Sequence, residues 1–214
     1  MTLTAGYQDA FPPGVVARYD FLETRNAAQI LRATNHAEFS DLVAVLGSFR
    51  VQPTLDIFPS GGNESLTAAR LNESFRARGW REAAYKVTIS SELILRAPGQ
   101  FSEVSKGDQD AASYLIDNVK SRVALDVEWH AKDGNLDRDI AAYRTLYDSQ
   151  IIDCAVMVTM TRMEMRAWAL DLDPTTTKFS TSTTTNLEKV TPKLTRGDGG
   201  GCPILIASIC RRTV

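Results

Sequence analysis

The stretch LIDNVKSRVALDVEWH (115–130) holds three carboxylates, Asp117, Asp126 and Glu128, within a dozen residues, two of them inside an apolar run. Side chains alternate between the faces of a strand. Val123, Leu125, Val127 and Trp129 therefore share one face, while Ala124, Asp126, Glu128 and His130 share the other. Like charges side by side in a sheet repel, and an ionised group buried without a partner is costly. Something positive belongs between them, and a divalent cation fits. Carboxylate oxygens so placed could hold Mg²⁺ for phosphodiester hydrolysis, in which the ion activates a water and stabilises charge on the phosphate. The plainer reading makes Asp117 a turn residue and leaves Asp126 and Glu128 exposed on an edge strand. Spacing alone favours that reading, because an acid separated by eight residues from an acid-x-acid pair is common by chance.

The elements that must position these acids follow from the flanking patterns. Residues 1–22, with Pro12-Pro13-Gly14, read as an irregular opening segment. From Thr24 to Phe49 the apolar spacing is helical, with Asn35 a break or N-cap between two helices. Ser65 can cap a helix over LTAARLNESFRARGW, with Leu71 and Phe75 on one face, and Ala84–Ile89 suits a short strand. The reading then places a loop between Ala97 and Gly107, followed by the acidic strand entered from Asp117. Asn135–Asp148 carries Ile140, Tyr143 and Tyr147 at helical spacing among mixed charges, a surface helix with one buried stripe. IIDCAVMVTM (151–160) suits a central strand, and strand–helix–strand in this order predicts a parallel pair. PILIASI (203–209) returns as a last core strand. Between them, 175–201 is rich in Thr, Ser and Gly and reads as a long loop, DNA-facing or simply flexible. The expectation is one α/β domain over 1–214, a central mixed sheet flanked by helices.

Composition narrows the function classes. With 214 residues, 43% hydrophobic and 23% charged, the chain is an ordinary globular one. A net charge of −2 gives no blanket attraction to nucleic acid, so any DNA contact must come from local basic clusters. Three cysteines without CxxC spacing, Cys154 and Cys210 in apolar runs, fit a reducing cytoplasm. Two histidines argue against a zinc site. No apolar run approaches membrane-spanning length and no basic-then-apolar leader is seen, so membrane and secretion readings fall away.

DNVKSRVALDVEW (117–129), the apolar strand after the next helix and GGGCPILIASI (199–209) together resemble the BglII–BstYI group of type II restriction endonucleases, in the PD-(D/E)XK nuclease superfamily. The likeness extends to the SGGNES loop (60–65) and to FRARGWRE (75–82), and covers the chain from about residue 40 onward. It implies a restriction-endonuclease-like core, Mg²⁺ as cofactor, double-stranded DNA as substrate and a homodimer acting on a palindrome. By that resemblance Asp117 matches the first metal-binding aspartate and Asp126 the central acid. Glu128 stands where most of the superfamily has lysine, an acid-x-acid variant similar to the BamHI form of the fold. Lys132 is an alternative source of positive charge, or a solvated lysine.

For the DNA, phosphate contacts call on Lys120 beside the acidic strand, Arg138 on the following helix and Lys132, with His130 a candidate for phosphate or water. Lys193 and Arg196 in the 175–201 segment could reach phosphate or base edges. Mixed charge on the 135–148 helix also describes a merely solvated face. The competing function is a DNA-binding or partner-binding protein on a nuclease-like scaffold that has lost catalysis. The missing lysine favours it, and the retention of all three acids opposes it.

Overall fold

The computed structural model describes residues 2–58, 65–97, 100–130, 133–181 and 183–214. In chain order these form β1 (Leu3–Thr4), α1 (Tyr7–Ala10), α2 (Pro13–Val16), β2 (Tyr19–Thr24), α3 (Ala27–Thr34) and α4 (His36–Ser48). There follow α5 (Pro53–Asp56), α6 (Leu66–Arg76), β3 (Arg81–Ala97), β4 (Gln100–Lys120) and β5 (Val123–Val127). The chain ends with α7 (Asp133–Asp148), β6 (Cys154–Met160), α8 (Arg162–Leu172), α9 (Leu187–Arg196) and β7 (Ile204–Ile209). Among the described residues the seven strands make one mixed sheet, in the order β1-β2-β7-β6-β5-β4-β3. The centre, β5-β6-β7, is parallel, and both flanks are antiparallel.

Strands covered on both faces should read as unbroken apolar runs. β5, β6 and β7 are buried at every position. Alternation divides them between two cores. Val123, Leu125, Val127, Val156, Val158, Leu205 and Ala207 pack under the layer holding α3, α4, α6 and α8. Ala124, Ala155, Met157, Ile204 and Ile206 pack under α7 and α9. The crossover from β5 through α7 to β6 is parallel, as the pattern predicts, with Val123 opposite Cys154 and Val127 opposite Val158. Asn35 separates α3 from α4, and the Ser65 side chain accepts from the Ala68 N–H at 3.1 Å to cap α6. All three cysteines are buried free thiols. Among the described residues no helix is long and apolar enough to cross a membrane.

Four expectations change. The opening segment is ordered rather than irregular. Buried Glu23 accepts from Thr4 Oγ1 (3.2 Å), Tyr7 N (3.2 Å) and Ala28 N (2.8 Å), and Phe21 stacks on Tyr7 and Phe11. The predicted short strand and the described part of the following loop are instead a long ribbon, β3 against β4, with bulges breaking its register, and residues 98 and 99 lie outside the described residues. Its polar, half-open surface hid the strand period from the sequence. Arg162–Leu172, to which no element was assigned, is α8, buried through Met165, Trp168 and Ala169.

The fourth change is in 175–201, which holds α9 rather than one long loop. Val190 and Leu194 of α9 enter the second core. Asn186 caps its start by accepting from Lys189 N at 3.1 Å, and Gly197 (φ +99) closes its end in the left-handed region that favours glycine. A Cβ on Gly199 would lie 2.6 Å from Ile204 Cδ1, so TRGDGGG is a close-packed turn.

Candidate active site

The tight turn Ser121–Arg122, with Ser121 at φ +46, brings β4 antiparallel to β5, and pairing runs from Lys120↔Val123 to Asn118↔Leu125. Asp117 thus lies near the end of β4, opposite Asp126 on the next strand. There the ladder gives way to side-chain oxygens. Asp117 N donates to Asp126 Oδ1 (2.8 Å) and Val127 N donates to Asp117 Oδ2 (3.1 Å). Each acid is oriented by the other's strand. Glu128 N still donates to Val158 O (2.8 Å) and Thr159 Oγ1 donates to Glu128 O (3.0 Å). The strand conformation therefore carries past Val127, and Glu128 keeps the face of Asp126. The sequence reading brought these three acids together, and so does the fold.

Helix α7 closes the site with two groups the reading did not assign to it. Tyr143, fully buried, donates from its hydroxyl to Asp126 Oδ2 (2.7 Å) and lies 3.2 Å from Val156 O. Asp139, only 3% exposed, faces Glu128 within hydrogen-bonding reach and also takes Arg138 Nη2 at 3.1 Å. Sequence reasoning left Asp139 among the mixed charges of a solvated helix face. Its signal was its phase: it stands three residues after Leu136 and four before Tyr143, on the apolar stripe itself.

The electrostatics are those of crowded anions. Burial, then the Asp117 charge, pushes the Asp126 carboxyl up to about 7. Burial, then Asp139 and Asp126, pushes Glu128 up to about 9. Asp139 is also raised, by burial against the pull of Arg138, and the Tyr143 hydroxyl is raised by burial and the acids around it. Every charge bearing on Glu128 is negative. Glu128 Oε2 and Asp139 Oδ2 are buried with no hydrogen-bond partner.

A divalent cation suits this donor set: hard carboxylate oxygens, excess negative charge and two orphaned acceptors. Asp117, Asp126 and Glu128 are the residues that could hold one, with Asp139 set against Glu128 from the helix. They do not close onto a single point. Among the described residues the tighter group of possible ligands, with ligand atoms within 4.8 Å of one another, is Asp20, Glu164 and Cys210, beside the β2–β7 pair. That group is already engaged: Asp20 by Thr161 (2.6 Å) and Arg212, Glu164 by the Arg211 N–H (3.1 Å).

The other predicted site residues are dispersed. The alternation stops at His130, whose backbone turns to φ +62 and whose ring stacks on Phe179 (centroids 5.1 Å, 15° between planes). It therefore leaves the acids' face. Burial and the Lys178 charge lower it to about 4, a neutral imidazole. Lys120 Nζ is held by Asp41 (2.7 Å) and Arg78 O (3.0 Å), in the layer of α4 and α6 rather than beside the acids. Arg138 pairs with Asp139, Lys193 with Asp137, and Arg196 with Asp198 (2.5 Å). Lys132 lies outside the described residues, as does most of the SGGNES loop.

The chain is similar to the crystal structure of restriction endonuclease BglII complexed with a DNA 16-mer, at TM-score 0.52 and 12% identity, over 90% of this chain and 76% of that one. A likeness at that identity speaks for the fold, which is the restriction-endonuclease α/β fold. No curated protein matches by sequence. The family model for restriction endonuclease BglII/BglIII matches residues 19–209, a span from β2 to the last residue of β7 that includes all four acids. The chain belongs to the BglII/BglIII restriction endonuclease family.

Proposed function

We propose that this protein is a type II site-specific deoxyribonuclease, cutting both strands of a short palindromic site by Mg²⁺-dependent phosphodiester hydrolysis and working as a homodimer. The observation that carries the reading is the face where Asp117 and buried Asp126 orient each other across β4 and β5 with buried Glu128 beside them. Family membership supplies the class of substrate.

Asp117 and Asp126 hold the ion, their carboxylates pre-aimed by the reciprocal backbone bonds. Bound Mg²⁺ supplies Lewis acidity at the phosphate and a water that ionises more easily. Glu128 cannot do what a lysine does at this position, since an ionised carboxylate donates nothing. With a cation beside it to keep it ionised, its Oε2 could instead accept the proton of the attacking water. Asp126, Glu128 and Asp139 are buried and hold their protons more tightly than free carboxyls, so a divalent cation would let them ionise and would allow a phosphate to sit beside them. Of the predicted DNA contacts, Lys120, Arg138, Lys193 and Arg196 each sit in an ion pair with an acid. A phosphate reaches them by exchanging with that partner. His130 remains a proposed contact beyond Glu128, and Lys132, outside the described residues, remains one from its sequence alone.

Incubating the purified protein with a mixed-sequence plasmid should give discrete fragments with Mg²⁺ and none with EDTA. Asp117→Ala and Asp126→Ala should each lower the rate by several orders of magnitude while DNA is still retained in a gel shift with Ca²⁺. Cutting by either variant at the wild-type rate removes the assignment. Stable retention of DNA with no cutting under any divalent ion would favour the non-catalytic scaffold.

A further inference from the structure

We infer that Tyr143 and Asp139 are positioning residues that fix the two acids of β5 from the facing helix, Tyr143 holding Asp126 and Asp139 holding Glu128. The inference rests on the nuclease reading for the role of those acids and on the geometry of α7 for everything else. Asp126 and Glu128 are two residues apart on a strand, a rise of about 6.7 Å. Asp139 and Tyr143 are four apart on a helix, a rise of about 6 Å. The two repeats match. Because the earlier strand residue meets the later helix residue, α7 runs back along β5, as the parallel crossover to β6 requires.

The contacts are specific rather than incidental packing. The Tyr143 hydroxyl is 2.7 Å from Asp126 Oδ2, while Asp126 Oδ1 is taken by Asp117 N at 2.8 Å. The central acid is therefore gripped at both oxygens, one from the neighbouring strand and one from the helix. With the Val156 carbonyl 3.2 Å from the same hydroxyl, that tyrosine is tied to β6 as well. At the other position, Glu128 and Asp139 meet, and each keeps one buried oxygen without a partner. Arg138 restrains Asp139 from the solvent side. Leu136, Ile140 and Leu146, all buried, anchor the helix so that neither residue can swing away.

Mn²⁺ binding by thermal shift and by electron spin resonance, read without DNA, tests the inference independently of cutting. Tyr143→Phe removes one oxygen and no volume, and Asp139→Asn keeps shape and loses charge. Each should weaken Mn²⁺ about tenfold or more, the usual effect of losing a group that orients a metal ligand. In cleavage assays kcat should fall with the KM for DNA unchanged. Tyr147→Phe, on the same helix against Gly201, should leave both readouts at wild-type values. Mn²⁺ affinity within twofold of wild type in Tyr143→Phe and Asp139→Asn would overturn the inference. A wild-type protein that binds Mn²⁺ but cuts no DNA would instead remove the nuclease reading and leave the binding comparison able to decide this one.

Discussion

Asp126 is the residue at which the site's conflict is sharpest. It accepts two hydrogen bonds that favour its charged form, yet burial and Asp117 outweigh them and raise it to about 7. An unfolded aspartate titrates near about 3.9. The folded state therefore holds this proton more tightly, and its advantage is complete below about pH 4. It is lost progressively as pH rises to about 7 and does not return above that. The three-unit interval corresponds to a few kcal/mol, on the order of 1.4 kcal/mol per unit. In EDTA the wild type should lose melting temperature between pH 5 and pH 8, and Asp126→Asn should lose clearly less. Mg²⁺ should raise the wild-type melting temperature more at pH 8 than at pH 5. Equal pH slopes in the two proteins would contradict the cost assigned to this carboxylate. The acids were legible because a period of two is simple to read. Asp139 was not, since a charged residue on a helix reads as solvated until its phase against Leu136 and Tyr143 is checked. His130 was misplaced for the opposite reason: nothing in an alternating pattern announces the positive φ that ends it.

Elements whose faces are uniformly apolar were readable, and those that mix were not. β5, β6 and β7 stood out as runs, as did the helices either side of Asn35. The β3–β4 ribbon has Ile89, Leu93, Ile94 and Leu95 exposed among polar residues, so neither a strand period nor a core signal survives in its sequence. α9 is the instructive case. Its Thr and Lys content and an internal Pro192 suggest a loop, but Leu187, Val190 and Leu194 keep helical spacing and turn inward. Glu188 beside them caps α8, accepting from Met163 N at 2.9 Å and Arg162 N at 3.2 Å. The segment that composition assigned to a flexible excursion is thus a brace for two layers. Leu194→Ala should cost about 2–5 kcal/mol in urea unfolding, the range for emptying a buried leucine site. A loop residue would cost almost nothing, and a change under about 0.5 kcal/mol would return α9 to that description.

At the scale of the whole molecule, the chain offers one constellation of Asp117, Asp126 and Glu128, whereas a duplex offers two scissile strands running oppositely. A single copy would have to release, turn over and rebind to finish a double-strand break. Two copies related by a two-fold axis meet both strands of a palindrome at once. The net charge of −2 also argues against a protein that stays on DNA by general attraction, so the second cut should come from a second site already in place. A plasmid with one recognition site should pass from supercoiled to linear with little nicked circle accumulating. Mixed with an excess of Asp126→Ala chains under subunit exchange, the wild-type chains should produce nicked circles instead, because each mixed pair keeps one working site. Sedimentation at twice the chain's 23.6 kDa should accompany this behaviour. Nicked circle persisting at saturating wild-type protein, together with sedimentation as a monomer, would overturn the paired-site account while leaving the acids of β4 and β5 as the cutting centre.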